Sequence, residues 1–186
     1  MFEDYSERLF AHFVAGRWRV PHATRAISLH RPDGAALGQI VPAGAADVAR
    51  AANSLRGSEA AARARAAEAV RQAAGTLAAA HALQTGQRID PHEISRLAGA
   101  MVQVFALPTR LVHGAPDTDF SGFGAALGAG LQSGVIWCPP PRWACFATCL
   151  AQVLQGVDLP PGAFALLHAQ TPETEALLRQ AGLLPQ

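Results

Sequence analysis

The C-terminal third carries the pattern that most narrows the possible folds. Gly134-Val-Ile-Trp-Cys138 is a short apolar run stopped by Pro139, Pro140 and Pro141, none of which can donate to a β-ladder. Residues 145–154 then have helical composition. Pro160-Pro161-Gly162 turns the chain into Ala163-Phe-Ala-Leu-Leu-His168, a second apolar run of buried-strand length. Thr171-Pro172-Glu173 opens a last helix, with Leu177, Leu178 and Ala181 expected to face inward before Gly182 ends it. Apolar runs without polar alternation are strands covered on both faces, and strand, helix, strand, helix is a parallel α/β unit wound right-handed. The expected class is therefore α/β.

Upstream, residues 12–18 and 27–30 have the aromatic and β-branched content of two short strands that could pair as a hairpin. Gly34 and Gly38 mark turns, and Gln39-Ile40-Val41 is a further extended piece closed by Pro42. The period then changes. Residues 45–55 and 58–85, rich in Ala, Arg and Glu, predict two helices separated at Gly57, the second ending at Gly86. Asp90-Pro-His-Glu93 predicts a helix start: Asp90 accepts a first-turn amide, Pro91 suits the first helical position, and Glu93 can reach back to close a capping box. Ile94, Leu97, Ala98, Met101 and Phe105 fall on one face of that helix, which Pro108 should end before Gly114. Between residues 121 and 134, Gly122, Gly124, Gly128, Gly130 and Gly134 dilute the side chains, and the expectation is a loop or a poorly packed edge strand.

With 186 residues, one domain with a real core is expected. Its parts are a hairpin-plus-helix region over 1–115, a glycine-rich arm or loop over 116–134, and a partial α/β unit over 135–186. Half the residues are hydrophobic and 16% charged, which leaves apolar surface for oligomerisation to cover. The net charge is +1 with scattered arginines, so the basic footprint of a nucleic-acid binder is missing. The opening residues are acidic and polar, and Gly, Pro, Arg or Gln interrupts every apolar stretch well before the roughly 20 residues of a membrane span. A cytoplasmic protein is expected, with Cys138, Cys145 and Cys149 as thiols.

The residue types that carry chemistry point to little. Cys145 and Cys149 lie one helical turn apart among Ala144, Phe146 and Leu150, and with Cys138 they are expected to be buried small hydrophobes. Their spacing does not make a zinc site, so no metal is expected. Of seven histidines only His81 and His92 flank a shared turn, and both are expected to be solvated or near helix caps. The glycines of 122–134 are followed by a strand, whereas a dinucleotide fingerprint opens a helix. Asp117 and Asp119 are expected in a solvated loop, with no acid–base partner at a defining spacing.

Four segments resemble, in order, the N-terminal and cofactor-binding region of the aldehyde dehydrogenases. They are Phe13-Val-Ala-Gly-Arg-Trp18, Gln84-Thr-Gly-Gln-Arg-Ile89, Gly134-Val-Ile with Pro140, Pro141 and Trp143, and residues 152–164. The resemblance spans nearly the whole chain and is nearest to the degenerate second half of two-unit dehydrogenases. It implies a hairpin and helical layer on a reduced Rossmann-like sheet, with Pro140 and Trp143 as the residues placed to touch a cofactor. It also locates departures. The family's Asn after Pro-Trp, whose amide donates to the oxyanion, is Ala144 here. The interval from Trp143 to Gln152 is too short for the Lys-Pro-Ser-Glu segment that grips the cofactor ribose, and His168-Ala-Gln-Thr-Pro172 stands where a glycine turn is expected. The general-base Glu and nucleophilic Cys would fall beyond Gln186.

These departures lead to the expectation of a non-catalytic structural or interaction subunit without NAD, associating with itself or with a full-length aldehyde dehydrogenase. Met101, Phe105 and residues 121–134 would form the contact. The alternatives are a residual NAD-binding module, with the crevice at the ends of the Val135 and Ala165 strands, or one piece of a split NAD-dependent aldehyde oxidoreductase.

Overall fold

The computed structural model describes residues 11–103, 110–168 and 171–184. The first strands, β1 (His12–Val14) and β2 (Arg17–Arg19), are the two arms of one hairpin rather than a single strand. Ala15 and Gly16 both take positive φ, 53° and 74°, as a two-residue hairpin turn requires. Ala at the first of these positions hides the turn from a reading that looks for Asn-Gly. β3 (Ile27–His30) pairs with β4 (Ala36–Ile40) in a separate two-stranded sheet, so the pairing expected between the first two predicted strands is replaced by two local hairpins.

Helix α1 (Ala45–Ser54) matches its prediction, but residues 58–85 form two helices, α2 (Ala60–Gln72) and α3 (Ala74–Thr85), broken at Ala73 with φ −87° and ψ 6°. Gly86 ends α3 in the left-handed region. Helix α4 (Pro91–Met101) starts as expected, the Asp90 carboxylate accepting from His92 N–H at 2.9 Å. The predicted return bond from Glu93 is replaced by an Arg96 pair at 3.0 Å. Ile94, Leu97, Ala98 and Met101 form its buried face. Phe105 and Pro108 lie outside the described residues.

Strand β5 (Leu111–His113) then leads into α5 (Phe120–Leu131), which occupies the stretch expected to be a loop or edge strand. Asp119 caps it by accepting from Gly122 N–H at 2.7 Å. The glycines do not break the helix because two of them make its packing possible. A Cβ at Gly124 would stand 2.2 Å from the Leu97 carbonyl oxygen, and one at Gly128 2.2 Å from that of Met101. The missing side chains let α5 lie directly on the backbone of α4, while Phe120, Phe123, Leu127 and Leu131 enter the core. In place of the expected arm there is an internal element, and fully buried Met101 is part of the same internal contact.

The remaining elements follow the predicted order: β6 (Val135–Cys138), a 3₁₀ turn (Pro141–Trp143), α6 (Ala144–Gln155), β7 (Phe164–Leu166) and α7 (Pro172–Gln180). Thr171 caps α7, and Leu178 is buried as expected, but Ala181 is exposed. β5, β6 and β7 are parallel, β1 lies antiparallel to β7, and the sheet order is β2-β1-β7-β6-β5. Side chains alternate across this sheet. Phe13, Val135, Trp137, Phe164 and Leu166 enter a core roofed by helices that include α3 to α6. Val14, Ile136, Cys138, Ala165 and Leu167 enter a smaller core with Val48 and Ala51 of α1 and Leu178 of α7. Both faces are covered, which explains the continuous apolar runs of β6 and β7. No helix among the described residues is long and apolar enough to cross a membrane.

Candidate functional site

A cavity of about 420 Å³ opens beyond the carboxyl ends of β5 and β6. Its floor comes from the 3₁₀ turn, which the three prolines set up: Pro139 and Pro140 end the strand, and Trp143 N–H donates to Pro140 C=O at 2.9 Å. The Trp143 ring is buried against Phe146, with centroids 5.2 Å apart, and against His81, at 4.4 Å. Its indole N–H donates to the Asp117 carboxylate at 3.2 Å, and Arg142 donates to both oxygens of that carboxylate at 2.9 Å. Asp117 thus has a basic partner 25 residues away, and Asp119 is a helix cap. Both lie in an exposed turn, as expected, but the expectation that Asp117 has no partner is overturned by Arg142.

The opposite wall is the end of α3, the following turn and the first turn of α4. His81 is buried, not solvated as expected, and His92 is exposed and not part of the wall. His81 Nδ1 lies 3.1 Å from the Gln87 carbonyl oxygen and 3.2 Å from Thr85 Oγ1. A carbonyl can only accept, so Nδ1 carries the proton and Nε2 is left as an acceptor. Burial holds the His81 pKa below its ordinary value, and the Gln87 carbonyl opposes that shift only partly. Gln84 ties the two walls together, donating to Pro141 C=O at 2.6 Å and accepting from Cys145 N–H at 3.0 Å. The amide at the start of α6 is thereby spent on a side chain.

Trp143 therefore lines the cavity, whereas Pro140 precedes it and does not. Ala144 is buried and has no side-chain donor. Cys138, Cys145 and Cys149 are buried thiols outside any disulfide, divided between the two faces of the sheet. Burial pushes the Cys138 and Cys145 pKa values up to about 12. Among the described residues no group of three or more His, Cys, Asp or Glu could hold a metal ion.

One polar cluster had no sequence signal. His12, Asp47 and His168 are each at most 1% exposed. His168 N–H donates to His12 Nδ1 at 3.2 Å, which places the proton of a neutral His12 on Nε2, 3.8 Å from the Asp47 carboxylate. Asp47 also accepts from the backbone N–H groups of His22 and Gly44, both at 3.1 Å. Burial lowers the His12 pKa to about 4, against the pull of Asp47, and that of His168 to about 3. Residues 156 positions apart in His12 and His168 meet only because β1 is laid beside β7.

A parallel sheet covered on both faces, with a cavity at its strand ends, defines a Rossmann-like α/β unit. The particular version is the aldehyde dehydrogenase fold. HpcC from Thermus thermophilus matches 97% of this chain with a TM-score of 0.78 and 23% identity, over 43% of its own length. A mutant aldehyde dehydrogenase C from Pseudomonas syringae, solved with NAD⁺ and octanal, matches 92% of the chain at a TM-score of 0.76 and 18% identity, over 43% of its length. A mutant aldehyde dehydrogenase from Bacillus cereus matches 90% at 0.69 and 15%, again over 43% of its length. The chain spans less than half the length of these proteins. No family model and no curated protein matches the sequence.

Proposed function

We propose that this chain is a non-catalytic unit of aldehyde dehydrogenase fold that works by association in the cytoplasm, with a second copy or with a full-length aldehyde dehydrogenase. The observation that carries the non-catalytic part is the sealed state of every thiol. Cys138, Cys145 and Cys149 are buried, and at pKa values of about 12 Cys138 and Cys145 present no thiolate to an aldehyde at neutral pH. Ala144, in the position where the resembled family has its oxyanion Asn, offers a methyl group in place of a donor.

Association is supported by the sheet. Among the described residues no strand pairs with the outer edge of β5, while α7 lies on the face opposite α5 and α6. An unpaired edge beside half-buried Leu111 is a place for another chain to add. Met101 and the packed face of α5 are used internally, so the contact belongs at this edge. NAD is not part of the proposal, because β6 passes through α6 directly into β7 with no inserted Lys-Pro-Ser-Glu segment. The test is light scattering at tens of micromolar, together with capture of a full-length aldehyde dehydrogenase from the native cell. A dimer or a captured enzyme is the expected result. A monomer that captures none refutes association, and NAD-dependent aldehyde oxidation by the purified protein refutes the non-catalytic part.

A further inference from the structure

The cavity at the ends of β5 and β6 is more specifically furnished than an association subunit needs. Its charges are mostly spent. Asp117 is held by Arg142 and Trp143, Asp90 caps α4, and Glu93 pairs with Arg96. Arg88 is different: it lines the same cavity, is exposed, and has no hydrogen bond or ion pair among the described residues. Asp90 keeps its charge, since it accepts only a backbone N–H, but the Arg88 guanidinium has no acceptor among the described residues, and its planar fork suits a carboxylate. A second group is equally specific. With Nδ1–H bound to the Gln87 carbonyl, His81 has Nε2 left as an acceptor, on a wall residue otherwise sealed from solvent. Trp143, Phe120 and Ile89 line the same cavity and suit a flat apolar body.

We propose that this cavity binds a small aromatic hydroxycarboxylic acid, its carboxylate on Arg88, its ring against Trp143 and Phe120, and its hydroxyl donating to His81 Nε2. The site is independent of the association proposed above, since it needs neither the β5 edge nor a partner. The neutral imidazole gives the hydroxyl its selectivity: a donor on the ligand completes Nε2, whereas a ligand without one leaves that acceptor unpaired and desolvated.

The experiment is calorimetric titration of the full chain with 4-hydroxybenzoate, benzoate and phenol, with the Trp143 indole N–H followed by NMR. Binding of 4-hydroxybenzoate at least about tenfold tighter than of either truncated probe is expected, with a shift of the Trp143 resonance. Arg88→Gln, on an exposed side chain, should weaken both acids about tenfold and leave phenol unchanged. His81→Gln should reduce the preference for 4-hydroxybenzoate over benzoate while leaving the dependence on Arg88. If His81→Gln fails to fold, the benzoate comparison in the unmodified protein tests the same hydroxyl contact. No saturable binding of 4-hydroxybenzoate at millimolar concentration, binding unaffected by Arg88→Gln, or equal affinities for 4-hydroxybenzoate and benzoate would overturn the proposal.

Discussion

Replacing Gly128 by Ala should destabilise the protein, although alanine is the better helix former. An added Cβ would sit 2.2 Å from the Met101 carbonyl oxygen and 2.7 Å from both its carbonyl carbon and Cα. Every one of those atoms is backbone, so no rotamer change relieves the clash. Restoring ordinary contact requires α5 to move about 1 Å away from α4 beside the fully buried Leu97, Met101 and Leu127, opening gaps in a close-packed core. Overpacking typically costs about 1–3 kcal/mol, and a clash with backbone alone belongs in the upper part, about 2–3 kcal/mol; relieving a mid-helix glycine returns about 1 kcal/mol, for a net loss of roughly 1–2 kcal/mol. Gly99 is the control. It lies within α4 with nothing inside 4 Å of its would-be Cβ, so Gly99→Ala should gain up to about 1 kcal/mol. In urea, with a slope of about 2 kcal/mol per molar, the Gly128→Ala midpoint should fall by roughly 0.5–1 M and the Gly99→Ala midpoint should rise by up to about 0.5 M. A Gly128→Ala midpoint at or above that of the unmodified protein would show that α5 does not rest on the α4 backbone.

At pH 8 a thiolate-selective reagent should label none of Cys138, Cys145 and Cys149 in the folded protein and all three after unfolding; one rapidly reacting native thiol contradicts their burial. His12 and His168 have folded-state pKa values below the ordinary 6.5, so the unfolded chain takes up protons first as pH falls. Their contribution is present above pH 6.5 and drains away toward pH 4; thermal melts should show that loss, with a shallower slope for His12→Gln, and a flat profile from pH 7 to 5 would refute it. Gln84→Leu removes the bonds to Pro141 C=O and Cys145 N–H, and should cost about 1–3 kcal/mol in denaturant unfolding; a cost near zero would mean that Gln84 does not hold the two walls together.

What could be read from the sequence was whatever the chain decides locally. Asp90 and Thr171 cap helices through amides two or three residues away, and β6 and β7 declare themselves by apolar runs that prolines and glycines bound. Helix α5 was illegible for the opposite reason. Its glycines weaken it in isolation, and the backbone they fit against belongs to Leu97 and Met101, more than 20 residues upstream. The break at Ala73 has no Pro to mark it, and the nearby Gly75 lies inside the first turn of α3 rather than at the break. The site divides in the same way. Trp143 could be singled out only through the family resemblance it shares with Pro140 and Pro141, whereas Arg88, His81 and Asp117 become neighbours only when α3, α4 and the segment after β5 converge on the 3₁₀ turn.

The two edges of the sheet are managed differently, and that asymmetry bears on association more than the hydrophobic content does. At one end, β1 meets β7 through the single pair Phe13 and Leu166, too little ladder to hold a hairpin by itself. The buried polar cluster supplies the rest: His168 N–H donates to His12, Ala43 N–H donates to His168 C=O at 3.3 Å, and the amides of Gly44 and His22 converge on Asp47. Three segments are thus stitched around one carboxylate, and the outer strand β2 presents exposed Arg17 and Arg19, charges that discourage further pairing. At the other end, Leu111-Val112-His113 carries no comparable pair of arginines, and among the described residues no strand lies along its outer edge. Among the described residues, charged protection at one edge and no strand along the other support the proposal that β5 is the side on which a second chain extends the sheet.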